Sequence, residues 1–320
     1  MTQWINGIAK LTLPTPFKVG DVNAYLIKTN RLTLVDCGVK TEEAWEALQQ
    51  QLHSLGLTPN DIEQVVLTHH HPDHVGLLDF LPETIPVYGH SLCQRWLQRT
   101  DTFFKEHDEF YQNLFIEFGI PEEYFPFIGQ LKKPLKYSCN RSLTSSIQEG
   151  SIIPSLEEWE IIETPGHAQS HIVLFREKDG LLIGGDHVLA HISPNPLLEP
   201  PINKDSERPK PLLQYNHSLK KLLNYSIRKI YTGHGEEVYD LPELIEKRLK
   251  RQHERAMSVK EFISIEPLSV FEICKLLFPT VYEKELSLTI SETVGQLDYL
   301  MSLGEIDKIK KNNTFAFIAV

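Results

Sequence analysis

The sequence predicts an α+β protein with a strand-rich first domain, 1–240, followed by a smaller domain, 241–320, of helices and a closing hairpin. Three observations point there. Short β-type runs end repeatedly in histidine, aspartate and glycine; the pattern turns helical after Asp240; and the last residues hold a turn signal at Asn312-Asn313. A chain of 320 residues has room for two domains, and an apolar share of 41% can fill a core.

In chain order, Val22 to Lys28 and Leu32 to Val35 read as strands, the second ending at Asp36-Cys37-Gly38. Thr41 is placed to cap a helix running to His53, and Val65-Val66-Leu67 is a compact buried strand. The aromatic and charged stretch from Trp96 to Tyr137 reads as a helical insertion, a candidate lid or ordinary packing helices, punctuated by Gly119-Ile120-Pro121. Strands resume at Trp159 to Glu163, His171 to Arg176 and Leu181 to Gly184, with Asp179-Gly180 a hairpin signal between the last two. Six prolines between Pro194 and Pro211 demand an extended loop, followed by a helix over Leu212 to Tyr225 and a strand over Lys229 to Tyr231. A long helix is expected over Leu241 to Ile263, then helices over Ser269 to Leu277 and Ser287 to Leu303.

Composition narrows the class. Lys plus Arg number 32 against 43 Asp plus Glu, a net charge of −11, which weighs against a phosphate-tracking surface. No basic-headed apolar leader and no run of about 18 apolar residues is present, so a soluble, cytoplasmic protein is expected. Cys37, Cys93, Cys139 and Cys274 are scattered without a CxxC pair, which favours buried free thiols over a thiolate metal site.

The chemistry lies in four strand-end groups. In Thr68-His69-His70-His71-Pro72-Asp73-His74, the His-x-His spacing points His69 and His71 the same way along an extended backbone, so both can reach one metal. Asp73 and His74 follow where the chain turns, and can face a second ion. Thr164-Pro165-Gly166-His167, Gly184-Gly185-Asp186 and Tyr231-Thr232-Gly233-His234-Gly235 each place one more ligand type past a strand. Imidazoles and carboxylates without thiolate suit zinc, two per chain, with iron or manganese also compatible.

This pattern resembles the metallo-β-lactamase superfamily over roughly residues 10–240. The resemblance implies an αββα sandwich with the metals at one edge of the sheets. It implies one metal on His69, His71 and His167, a second on Asp73, His74 and His234, and Asp186 bridging the two. His70 would point away, and Asp36 would support ligands by hydrogen bonds. Aspartate at 186 rather than cysteine, and histidine at 71 rather than glutamate, favour a hydrolase of the glyoxalase II and ribonuclease Z kind. The segments from Ser269 and from Asp186 to Pro200 resemble a branch with a C-terminal winged-helix domain that includes an endoribonuclease.

The expected chemistry is hydrolysis of an ester, thioester or related bond of a small molecule by a metal-bridging hydroxide. Two ions about 3.5–4 Å apart lower the pKa of a shared water from 15.7 to near 7. His191 is a candidate to protonate the leaving group. The first alternative is an endoribonuclease acting on single-stranded RNA; the second is a mononuclear iron dioxygenase of the persulfide type. Residues 241–320 carry 11 Lys plus Arg against 12 Asp plus Glu, close to neutral and without an obvious basic face. The basic run Lys247-Arg248-Leu249-Lys250-Arg251 sits in the preceding helix, where it reads as a solvated face, and Lys308, Lys310 and Lys311 sit near the hairpin. No membrane partner is expected, and the tail is open to dimerisation.

Overall fold

The computed structural model describes residues 2–204 and 206–320. Its chain divides into two compact units. The first comprises Met1–Thr100, Pro134–Pro194 and Lys221–Leu241, and the second Asp101–Lys133, Asn195–Lys220 and Pro242–Val320. The helical insertion and most of the proline-rich loop thus group with the C-terminal residues, whereas the sequence boundary at 240 put them in the first domain.

Unit one holds two sheets. In the first, β1 (Trp4–Ile5), β2 (Ile8–Leu13), β3 (Val22–Lys28) and β4 (Leu32–Val35) pair antiparallel in order, and β5 (Gln64–Val66), β6 (Val87–His90) and β7 (Ser145–Ile147) continue it in parallel. The second sheet has the order β11-β10-β9-β8, from β8 (Glu160–Glu163), β9 (Ile172–Arg176), β10 (Leu181–Gly185) and β11 (Lys229–Thr232).

Strand β3 shows how the layers form. Its residues are buried from Val22 to Ile27, an almost continuous apolar run rather than a half-polar alternation, as expected of a strand covered on both faces. Ala24 and Leu26 join the core beneath α1 (Glu42–Ser54), while Tyr25 and Ile27 join Ile161, Ile172, Leu174 and Ile183 of the second sheet. Helix α1 buries Ala44, Leu48 and Leu52 at four-residue spacing, and the Thr41 hydroxyl caps it by accepting from the Ala44 N–H at 3.2 Å. Each of those two leucines stabilises the layer by about 1.5–3 kcal/mol.

Among the described residues, the other α-helices lying wholly in this unit are short: α2 (Pro72–Val75) and α3 (Cys93–Gln98). All four cysteines are buried thiols outside any disulfide. Among the described residues no helix is long and apolar enough to cross a membrane.

Unit two contains α4 (Asp101–Glu117), α5 (Phe127–Gln130), most of α6 (Pro211–Leu222), α7 (Leu241–Ile263), α8 (Val270–Leu277) and α9 (Leu286–Ser302). A third sheet closes it, in order β12-β14-β13, from β12 (Leu268–Ser269), β13 (Ile306–Lys311) and β14 (Thr314–Ala319). Ser269 and Glu272 form a reciprocal capping box that starts α8. The hairpin turns at Asn312, whose φ of 59° suits asparagine. One core gathers Phe115 and Phe118 of the insertion, Leu198 of the loop, Ile263, Ile273, Leu297 and Phe317. The loop also fastens to α9: Leu198 N–H donates to the Ser291 hydroxyl at 3.2 Å, and Arg208 grips Asp298 through two bonds of 2.7 and 2.8 Å.

Candidate metal centre

Strand direction brings the site together. Strands β8 and β10 are both antiparallel to β9, and β11 is parallel to β10, so the C-terminal ends of β8, β10 and β11 leave the second sheet on one edge. Those ends deliver His167, Asp186 and His234. In the first sheet β4 and β5 are parallel, so Asp36 and the turn over 68–74 also emerge together. Glycine makes the closest approach possible: a Cβ on Gly233 would stand 2.0 Å from Asp186 Oδ1.

The structure gathers all the side chains singled out as ligand types. Three overlapping sets have their donor atoms within 4.8 Å of one another: His69, His71 and His167; His69, His74 and Asp186; and Asp73, His74 and His234. His69 Nε2 lies 3.0 Å from His71 Nδ1, and His234 Nε2 lies 3.2 Å from Asp73 Oδ2. Asp186 sits between the sets, 3.4 Å from His74 Nε2 through Oδ1, and 3.5 and 3.6 Å from His234 Nε2 and His167 Nε2 through Oδ2.

A supporting layer fixes which nitrogen faces inward. Asp36 accepts from the Thr68 N–H at 2.8 Å, from the Thr68 hydroxyl at 2.7 Å and from His74 Nδ1–H at 2.8 Å. With its proton given to Asp36, the Thr68 hydroxyl accepts from His69 Nδ1–H at 3.0 Å. His234 Nδ1–H donates to the Asp21 carbonyl at 2.8 Å. In each ring Nδ1 is therefore committed to a hydrogen bond as donor, which leaves Nε2 as the nitrogen available to a cation.

Three of the inward atoms test whether cations fit. His74 Nε2, His234 Nε2 and Asp186 Oδ1 are buried and make no hydrogen bond. Buried polar atoms are rarely left so, and lone pairs of imidazole and carboxylate converging without a donor are what a divalent cation requires. Electrostatics agree. Burial works against a charged His74, but Asp186, Asp36 and Asp73 outweigh it and lift its pKa well above the imidazole range. His234, also opposed by burial, is raised by Asp186 and Asp73 to about 10. Without cations, protons are drawn to the same place. Burial, then neighbouring imidazoles, push His69 and His71 well below their usual value, leaving them neutral donors.

The other sequence readings also find positions. His70 turns away, stacked on Trp96 at 4.5 Å and bonded through Nδ1 to the Ser170 hydroxyl at 2.8 Å. His191 stands on the surface, 3.7 Å from Glu236 and 78% exposed, outside the cluster. One residue went unread. His171 is buried, with its ring 4.9 Å from that of His69. Its four-residue spacing from His167 was the available signal, masked because His171 opens what reads as an ordinary strand.

A sequence model described as the metallo-beta-lactamase superfamily matches residues 17–234. The chain belongs to that superfamily. Along nearly its whole length it is similar to the probable metallo-hydrolase YqjP of Bacillus subtilis, 44% identical over 97% of each chain. Among solved structures, a metallo-beta-lactamase family protein of Thermus thermophilus is 26% identical with a TM-score of 0.79 over 99% of each chain. A beta-lactamase domain protein of Burkholderia ambifaria shares the fold at 21% identity and a TM-score of 0.78, over 100% of this chain and 93% of its own. The chain is thus an enzyme, a metallo-hydrolase, with a mixed α/β metallo-beta-lactamase fold.

Proposed function

We propose that this metallo-hydrolase holds two zinc ions and cleaves an ester, thioester or related bond of a small molecule. The observation that carries it is the convergence of His74 Nε2, His234 Nε2 and Asp186 Oδ1, buried and without hydrogen bonds, beside the His69, His71 and His167 set. His69, His71 and His167 would hold one ion, Asp73, His74 and His234 the other, and Asp186, near equidistant from donors of both sets, would touch both. Bound there, the ions would supply Lewis acidity and acidify a shared water toward neutral pH. The chain's own residues prepare that site. Asp36 and Thr68 keep two lone pairs inward, the Asp21 carbonyl keeps a third, and Gly233 leaves Asp186 room. His191, paired with Glu236 on the surface and outside the cluster, is kept only as a candidate to return a proton to the leaving atom. Four cysteines outside any disulfide fit a reducing compartment, the cytoplasm.

We further infer that the run α7-β12-α8-α9-β13-β14, with sheet order β12-β14-β13, is a winged-helix module. Its α9 buries Ile290, Ser291, Val294 and Asp298, and Asn195, Leu198 and Arg208 of the preceding loop bond to it at the Leu288 carbonyl, Ser291 and Asp298. A helix covered in this way is poorly placed to enter a nucleic-acid groove, which favours the small-molecule substrate over single-stranded RNA.

Elemental analysis of zinc-reconstituted protein and turnover of ester and thioester reporters test the proposal. About two zinc per chain, with turnover lost in His69→Ala, supports it. Failure to take up zinc, or a fully loaded chain inert on every such reporter, overturns it.

A further inference from the structure

We propose that His171 is a positioning residue that ties the Asp186 backbone to the His167 loop and so sets how Asp186 meets both groups of ligand atoms. The inference rests on the two-ion function above.

The bonding around this imidazole is fully determined. His171 is 1% exposed, and its Nε2 accepts the backbone N–H of Asp186 at 3.1 Å. An acceptor at Nε2 places the ring hydrogen on Nδ1, which donates to the Thr164 hydroxyl at 2.8 Å. Thr164 answers through its backbone, its N–H donating to the His171 carbonyl at 2.9 Å. Thr164 follows β8 three residues before His167, and Asp186 follows β10, so one neutral ring joins two of the strand ends that deliver ligands.

Other imidazoles crowd the ring. Its centroid lies 4.9 Å from that of His69 and 5.8 Å from that of His187. Burial, then the imidazoles of His187 and His167, hold it well below the ordinary histidine pKa, hence neutral. A protonated ring would set N–H against the Asp186 N–H. The approach is close because Gly185, at a φ of +46°, has no side chain: a Cβ there would sit 2.8 Å from both His171 Nε2 and the Thr68 hydroxyl oxygen. The Asp186 carboxylate has little latitude, since its contacts to His74, His234 and His167 fall between 3.4 and 3.6 Å. A shift of the backbone would favour one set at the expense of the other.

Three substitutions in the full chain separate positioning from packing. In His171→Gln the amide oxygen reaches the place of Nε2 and still accepts from Asp186. In His171→Asn the amide nitrogen takes the place of Nδ1 and serves only Thr164. His171→Leu keeps volume and neither bond. Each zinc-loaded chain is titrated with a chelator while released zinc is measured, and each metal-free chain is examined by thermal melting and by hydrogen exchange at the Asp186 amide. The expected result is graded: asparagine and leucine release zinc at roughly 10–100-fold lower chelator, and glutamine, which keeps the Asp186 end of the tie alone, lies between them and wild type. In the asparagine and leucine variants the Asp186 amide exchanges faster even without metal. A leucine variant that holds zinc like the wild type, or a loss in all three that merely follows their metal-free melting temperatures, overturns the role. A wild type that takes up no zinc overturns the two-ion function and this role with it, a pattern distinct from a variant-specific null.

Discussion

Asp36→Asn exchanges one oxygen for an amide nitrogen and, by the bonding at this position, redirects two imidazoles. The backbone tolerates it, since Asp36 sits at a φ of 58°, a conformation that asparagine adopts readily. The amide oxygen must keep the Thr68 N–H, because the NH2 end there would meet another donor. The NH2 then faces His74 Nδ1 and the Thr68 hydroxyl in place of Oδ2. His74 Nδ1 has to become an acceptor, moving its hydrogen to Nε2. The Thr68 hydroxyl, now receiving from the introduced amide, is free to donate to His69 Nδ1 and drives the same tautomer change there. Two nitrogens that should offer lone pairs would offer N–H instead. One charge-assisted hydrogen bond contributes about 1.5–3 kcal/mol, so reversing His74 alone weakens zinc by roughly 10–150-fold at about 1.4 kcal/mol per tenfold. Chelator competition on wild type and variant measures it, with melting of the metal-free chains as the control for folding. An asparagine variant that keeps wild-type zinc affinity with an intact fold would refute the tautomer reasoning.

Other outcomes follow from the same geometry. In the metal-free protein the raised His74 and His234 contribute stability that is present below about pH 6.5 and lost as pH rises toward the His234 pKa of about 10, so the metal-free melting temperature should fall across that window. Zinc uptake at pH 7 should release protons, seen as a dependence of binding heat on buffer ionisation enthalpy. Gly233→Ala should displace Asp186, whose Oδ1 would lie 2.0 Å from the new methyl, and metal analysis should show loss of zinc greater than loss of folded protein. Asp298→Ala removes the carboxylate partner of Arg208 and leaves its half-buried guanidinium with the Pro209 carbonyl alone, which should cost about 1–3 kcal/mol in chemical denaturation without altering zinc content.

The centre was more legible in the sequence than the architecture around it. His69, His71, Asp73, His74, His167, Asp186 and His234 each follow a strand, and ligand chemistry restricts which residue types can serve, so order and spacing mark them as the proposed ligand set whose donor atoms the fold brings together. Thr41 and the Asp179-Gly180 turn were readable because capping and tight turns leave local marks. Strand β7 was not, since Ser145 and Ser146 carry no apolar pattern and β6 alone recruits them. His171 was missed for a related reason: its role lies in a bond to a residue fifteen positions away, which no local pattern announces. The grouping of the Trp96 to Tyr137 stretch was also hidden, because amphipathic helices reveal that a face is buried but not what buries it.

The second unit is assembled from three separate stretches of chain, and this limits how it can be inherited or removed. Ending the polypeptide at residue 240 would not delete a module cleanly. It would strand Leu114, Phe115, Phe118, Ile128 and Leu198 without the residues of α7, α8 and α9 that now enclose them. Such a remnant would be sticky rather than merely shorter, so the C-terminal segment and the internal excursions can be expected to have been gained, kept and lost as one.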